Sequence, residues 1–149
     1  MWNKEMSVLL SKGLIVLTLI MAVSSVGWFA QCIGMIEVYY YRPFSHLGSC
    51  ILGFAVIAFA CALLVFLFFL LNNISKKKVF VRENVRNLRF ISWCCFAVTA
   101  ILAAWGIVTF LEIIFLAAFI TGFIGLILRV VKNVFEEAVA LKEENDFTV

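Results

Sequence analysis

The side chains that could do chemistry are few, and their spacing limits what that chemistry could be. The single histidine, His46, stands near Glu37 in a short polar stretch. An imidazole and a carboxylate can pass a proton, but a metal or hydrolytic centre needs further converging ligands, and none stands at metal-ligand spacing here. Cys94 and Cys95 are adjacent rather than two residues apart, so they do not form a CxxC redox pair and read as small apolar residues. Cys32 and Cys50 both fall near the far face of the membrane, where oxidation is chemically open. Whether they pair depends on a geometry that spacing does not give. The expectation is a chain without catalytic, cofactor-binding or metal-binding residues, and not an enzyme.

Ion or proton pathways place ionisable residues inside membrane spans, where burying charge is costly and kept only for use. Only Glu112 and Arg129 are candidates, and both fit interfacial positions. A binding site within the spans would have to use Ser24, Ser25, Gln31, Thr99 and Thr121, residues that more often satisfy backbone or interhelical hydrogen bonds. A small transporter, channel or membrane sensor acting as an oligomer is therefore the alternative reading rather than the leading one.

Two charged segments offer more. Lys76, Lys77, Lys78, Arg82, Arg86 and Arg89 stand against Glu83 alone, a net +5. Val81, Val85 and Leu88 share one helical face and the three arginines share the adjacent one, which predicts a short basic amphipathic helix running into the following span. Such a helix suits the inner leaflet and its anionic headgroups, or a docking partner. Phosphates of nucleic acid would have to be brought to the membrane, so no direct nucleic-acid contact is expected. The chain's end is complementary: Glu136, Glu137, Glu143, Glu144 and Asp146 outnumber Arg129, Lys132 and Lys142. Val131, Val134, Ala138 and Leu141, with Phe135 beside them, continue an apolar stripe beyond the last span. In water that stripe needs a cover: the basic segment, a second copy, or a cytoplasmic partner.

The elements that position these segments follow from hydropathy. Of 149 residues, 65% are hydrophobic and 14% charged, too few charges to clothe a soluble domain. About 20 helical residues cross a hydrocarbon core of roughly 30 Å. The uncharged runs predict spans at 13–33, 47–71, 90–110 and 113–131, a basic loop at 72–89 and a tail at 132–149. The first run is too long for a signal-peptide core and lacks a small-residue cleavage site, so it is kept as a span. Tyr39, Tyr40, Tyr41 and Pro43 mark an interfacial loop between the first two spans. The uncharged stretch after Arg89 is too long for one helix and is divided by a turn between about Trp105 and Glu112. The fourth span is short and requires Arg129 to snorkel. Small residues at Ala97, Ala100, Ala103, Ala104, Gly122 and Gly125 let the last two helices approach.

Eleven of the twelve basic residues fall on the side of the termini and the central loop; Arg42 alone falls on the other. The positive-inside rule then places both termini in the cytoplasm. The predicted fold is an all-α integral membrane protein of four transmembrane helices, its C-terminal helix extending into the cytoplasm.

The ending Ala140-Leu141-Lys142-Glu143-Glu144-Asn145-Asp146-Phe147-Thr148-Val149 resembles the terminal motif of a family of small bacterial membrane proteins, domain of unknown function 2975, with Phe147 where leucine is usual. The stretch from Val79-Phe80 through Asn84 to Leu88-Arg89-Phe90-Ile91 is similar to that family's central loop. The resemblance implies a multi-pass protein of the bacterial plasma membrane with no established activity, commonly encoded beside a small Cro-like helix-turn-helix regulator. It makes Lys76, Lys77, Lys78, Arg82, Arg86 and Arg89, together with Glu143, Glu144, Asn145, Asp146, Phe147, Thr148 and Val149, candidates for docking such a regulator or lipid. The expected partners are anionic bilayer headgroups, the regulator, and a second copy of the chain.

Overall fold

The computed structural model describes the backbone at residues 4–40, 46–109 and 111–147, and side chains at 6–29, 31, 48–107 and 111–145. It is all-α: α1 (Lys4–Tyr40), α2 (His46–Ser75), α3 (Arg82–Thr109) and α4 (Glu112–Phe147). Each contains a stretch long and apolar enough to cross a membrane. α1 runs on through Tyr40, past Glu37 where the sequence suggested a loop; its side chains from Cys32 onward, like those of His46 and Leu47, lie outside the described residues. The Glu37–His46 and Cys32–Cys50 pairings fall there too.

Helices adjacent in sequence pack together, α3 lying between α2 and α4 with α1 on the outer side of α2. Among the described residues the backbones of α1 and α4 do not approach each other. α3 is consequently the most buried helix. Val85, Leu88, Ile91, Cys95 and Val98 form its apolar seam, and Leu70, Leu88 and Ile91 make a core that Phe66, Ile74, Leu128 and Phe135 close. The outward faces of α1 and α4, including Leu17, Met21, Phe119 and Phe123, stay exposed, as a lipid-facing surface requires.

Small residues set the closest approaches. A Cβ at Gly125 would sit 3.1 Å from the Cβ of Cys95, and one at Gly122 3.2 Å from the Thr99 methyl. Ser92 Oγ donates to the Gly125 carbonyl at 3.0 Å, so α3 and α4 meet nearly backbone to backbone. Ala100 and Ala104, expected to share this packing, are exposed, both standing off the helical line of Cys95, Thr99, Leu102 and Gly106. At the opposite end of the bundle the Phe29 ring lies where a Gly53 side chain would stand, and touches Phe54 and Trp105 edge-on.

The α2–α3 connection is built by asparagines. Lys77 N–H donates to Ile74 O at 3.0 Å and Lys78 N–H to Asn73 O at 3.0 Å, with Lys77 in the left-handed region at φ 60°. That is a Schellman ending with lysine where glycine is usual. The wholly buried Asn84 then ties the turn to α3, its Nδ2 donating to the carbonyls of Lys78 (2.8 Å) and Val79 (2.7 Å) while its Oδ1 accepts from Asn73 (2.9 Å). Lys12 Nζ reaches Asn72 Oδ1 at 3.1 Å and brings the start of α1 to the same end.

Asn84→Ala would leave two carbonyls and one amide without partners, and is expected to cost about 1–3 kcal/mol. Lys77→Gly should stabilise by up to about 1 kcal/mol, because glycine adopts positive φ freely. Thermal unfolding of both variants in one detergent checks the pair, and equal midpoints would refute this account of the turn.

Candidate functional site: the charged end of α3 and α4

Helix length decides what leaves the membrane. The 36 residues of α4 span about 54 Å at 1.5 Å per residue, whereas about 20 residues cross the hydrocarbon. Counting from Glu112, the crossing ends near Val131; counting back from Thr109 along α3, it ends near Phe90. Residues 82–89 of α3 and 132–147 of α4 therefore project beyond the apolar layer side by side. The basic segment is thus the first two turns of α3 itself, standing along the bundle axis rather than lying flat on a leaflet.

The two projecting pieces pair through charge. Arg82 Nε donates to Glu143 Oε1 at 2.8 Å and Nη2 to Oε2 at 2.6 Å, a two-pronged contact. Arg89 Nη2 lies 3.4 Å from Glu136 Oε1, and Lys132 Nζ lies 2.5 Å from Glu136 Oε2. The hydrogen bond and charge of Arg82 hold the Glu143 carboxyl below its usual range, and reciprocally raise the Arg82 guanidinium. Glu136 is held low mainly by Lys132, with Arg89 adding to it. Between the helices runs an open groove of about 430 Å³, lined by Arg82, Arg86, Arg89, Glu136, Val139 and Glu143 among others.

The candidate residues are thus only partly assembled. Arg82 and Glu143 meet, Arg86 and Arg89 line the same groove, and Lys76, Lys77 and Lys78 stand exposed on the α2–α3 turn. Glu144 and Asn145 are exposed farther along α4. Asp146 and Phe147 end the helix, but their side chains lie outside the described residues, as do Thr148 and Val149 entirely.

The apolar stripe expected to be covered is largely not. Val139 is buried and Phe135 half-buried against Phe80, on a face with Lys132 and Glu143 that meets α3. Val131, Val134 and Leu141 remain exposed, the latter two at 60% and 65%. Glu136 and Glu143 face the arginines of α3, and the neighbouring stripe points outward. Residues not singled out from sequence do much of the assembly: Asn84, Ser92, Lys132 and Glu136. Asn84 and Asn87 sit among the apolar residues of α3, and polar residues at such positions are the one signal that pointed to them.

The spans offer little polar lining. Among the described residues, Thr18, Ser24, Ser25, Thr99 and Thr121 each donate a hydroxyl hydrogen bond to a carbonyl of their own helix. No group of three or more His, Cys, Asp or Glu that could hold a metal occurs among the described residues.

Fold and composition define a multi-pass helical membrane protein. The chain belongs to the family described as Protein of unknown function (DUF2975), whose profile matches residues 28–149. No curated protein and no solved structure matches it.

The lowered carboxyls set a pH dependence. The ion pairs between the two projecting helices are fully formed above the ordinary glutamate range near 4.3 and are lost as pH falls through the depressed values of Glu136 and Glu143, loosening the outer end of the stem. Nitroxides at positions 83 and 142 should give a narrow distance distribution at pH 7 that broadens only in more acid solution. A distribution that does not change down to pH 3 would show that the charges do not hold the pair.

Proposed function

We propose that this protein is a non-enzymatic docking platform of the bacterial plasma membrane, both termini cytoplasmic, whose paired α3–α4 stem captures a small helix-turn-helix regulator. The observation that carries it is the stem's unfinished surface. α4 continues well past the length a bilayer needs, yet only one side of that extension packs on α3. Val134 and Leu141, seven residues apart and so on one face, stay exposed in a region flanked by Glu137, Lys142 and Glu144. An apolar strip with a charged rim is the composition of a protein-docking surface.

The orientation rests on the eleven-to-one distribution of basic residues, which puts the stem in the cytoplasm where a transcriptional regulator could meet it. Lys76, Lys77, Lys78 and Arg86 are exposed at the same end of the bundle. The choice of regulator comes from the gene neighbourhood that the family resemblance implies. Membrane tethering would act by mass action, holding the regulator away from DNA while the stem is free to bind. Transport is the weaker reading, since the hydroxyls of Ser24, Ser25 and Thr99 bond within their own helices and the two grooves described lie at the charged end.

The test uses the purified full chain in nanodiscs and the helix-turn-helix protein encoded beside it. Binding is expected, weakened about tenfold or more by Val134→Asp with Leu141→Asp, the loss of central apolar contacts. Arg86→Gln should weaken it less. No binding, or binding equally tight to the double variant, overturns the proposal.

A further inference from the structure

A second, smaller groove of about 190 Å³ lies beside the stem, lined by Arg89, Ser92, Trp93, Arg129 and Lys132. Its depth follows from the same helix counting: Arg89 and Trp93 bracket the point where α3 enters the apolar layer, and Arg129 and Lys132 bracket the point where α4 leaves it. These five residues therefore stand at headgroup level. Arg89 also lines the larger groove, but none of the five is Val134 or Leu141, the apolar residues of the docking face.

The charge of the groove is unbalanced. Three cations meet one carboxylate, Glu136, which is engaged by Lys132 at 2.5 Å and by Arg89 at the longer 3.4 Å. Arg129 has no acidic partner among the described residues; its guanidinium stands 5.7 Å from the ring centroid of Trp93. A cation held over an aromatic face is positioned without being neutralised. Lys132, despite its long side chain, is only 14% exposed, so the ammonium is fixed rather than waving in solvent. The hydroxyl hydrogen of Ser92 is already given to the Gly125 carbonyl, which fixes the groove's floor by locking α3 to α4.

We infer that this groove is a discrete site for the phosphate of an anionic phospholipid, held by Arg129, Lys132 and Arg89 with Trp93 flanking the glycerol and upper acyl chain. Guanidinium groups bind phosphate oxygens in a fork that ammonium groups cannot match, and basic grooves between helices at the membrane surface favour lipids with net negative charge. A zwitterionic lipid brings a phosphate but also a cation, which the unbalanced positive charge repels. The occupied site would bridge Arg129 on α4 to Arg89 on α3 at the base of the stem. It would thereby steady the stem independently of what docks farther out.

Phosphate chemistry has two sources, a lipid and free phosphate, and the experiment separates them. The full chain in neutral detergent is titrated with phosphatidylglycerol, phosphatidylcholine or inorganic phosphate, and bound lipid is counted by native mass spectrometry. One phosphatidylglycerol should be retained in preference to phosphatidylcholine, and millimolar inorganic phosphate should not displace it. Arg129→Gln with Lys132→Gln should lower retention about tenfold, as expected from removing two surface cations, while Lys76→Gln, Lys77→Gln and Lys78→Gln together leave it unchanged. Equal retention of the two lipids by the unaltered protein overturns the inference, and that arm needs no variant to fold. Complete displacement by inorganic phosphate overturns the lipid assignment. Loss of retention in the triple-lysine variant would show diffuse surface charge rather than a site.

Discussion

A helix of 36 residues is nearly twice as long as the apolar layer it crosses, and that mismatch organises the charged end of this protein. The surplus of α4 must stand in water, where one helix with an apolar side is marginal unless something packs against it. α3 supplies that neighbour by starting early, at Arg82, two turns before its own apolar run begins at Phe90. The resulting stem is a continuation of the membrane bundle rather than a separate domain.

What holds the stem is apolar and amide packing more than its visible ion pairs. Arg82–Glu143 and Arg89–Glu136 are exposed, and exposed pairs contribute little on average. Both pairs lie on the face of α4 that meets α3, alongside Phe135 and Val139. The stability of the junction lies lower, where Leu70, Leu88 and Ile91 close against Leu128 and Phe135. Asn84 adds a buried carboxamide whose hydrogen bonds specify the angle at which α3 leaves the α2–α3 turn. Asn87 Nδ2, also buried, makes no hydrogen bond among the described residues.

The remaining helices divide the work by burial. α3 is the scaffold, packed on two sides. α1 touches mainly α2 and presents a mostly apolar outer surface on which Thr18, Ser24 and Ser25 are also exposed. At the far end, aromatic contacts of Phe29 with Phe54 and Trp105 close the bundle; at the charged end, asparagines, ion pairs and two open grooves take over. Closely packed small residues join those ends along α3 and α4, with Gly125 against Cys95 under the stem.

Four membrane-crossing helices and family membership were readable from the chain alone, because long uncharged runs and the terminal Lys142–Val149 motif are local properties of sequence. So was the helical character of the basic segment, since Val85 and Leu88 recur with the helical period and both are buried. Which side of α4 would be covered was not readable. Val131, Val134, Ala138 and Leu141 form as good a stripe as Phe135 and Val139, and periodicity ranks faces only by apolarity. The covered side is the one with partners distant in sequence, Arg82 for Glu143, Arg89 for Glu136 and Phe80 for Phe135, which only tertiary packing brings within reach. The same reason hid Arg129, in sequence a snorkelling cation, and Lys132, one of the tail's few basic residues, until α3 placed Arg89 and Trp93 beside them.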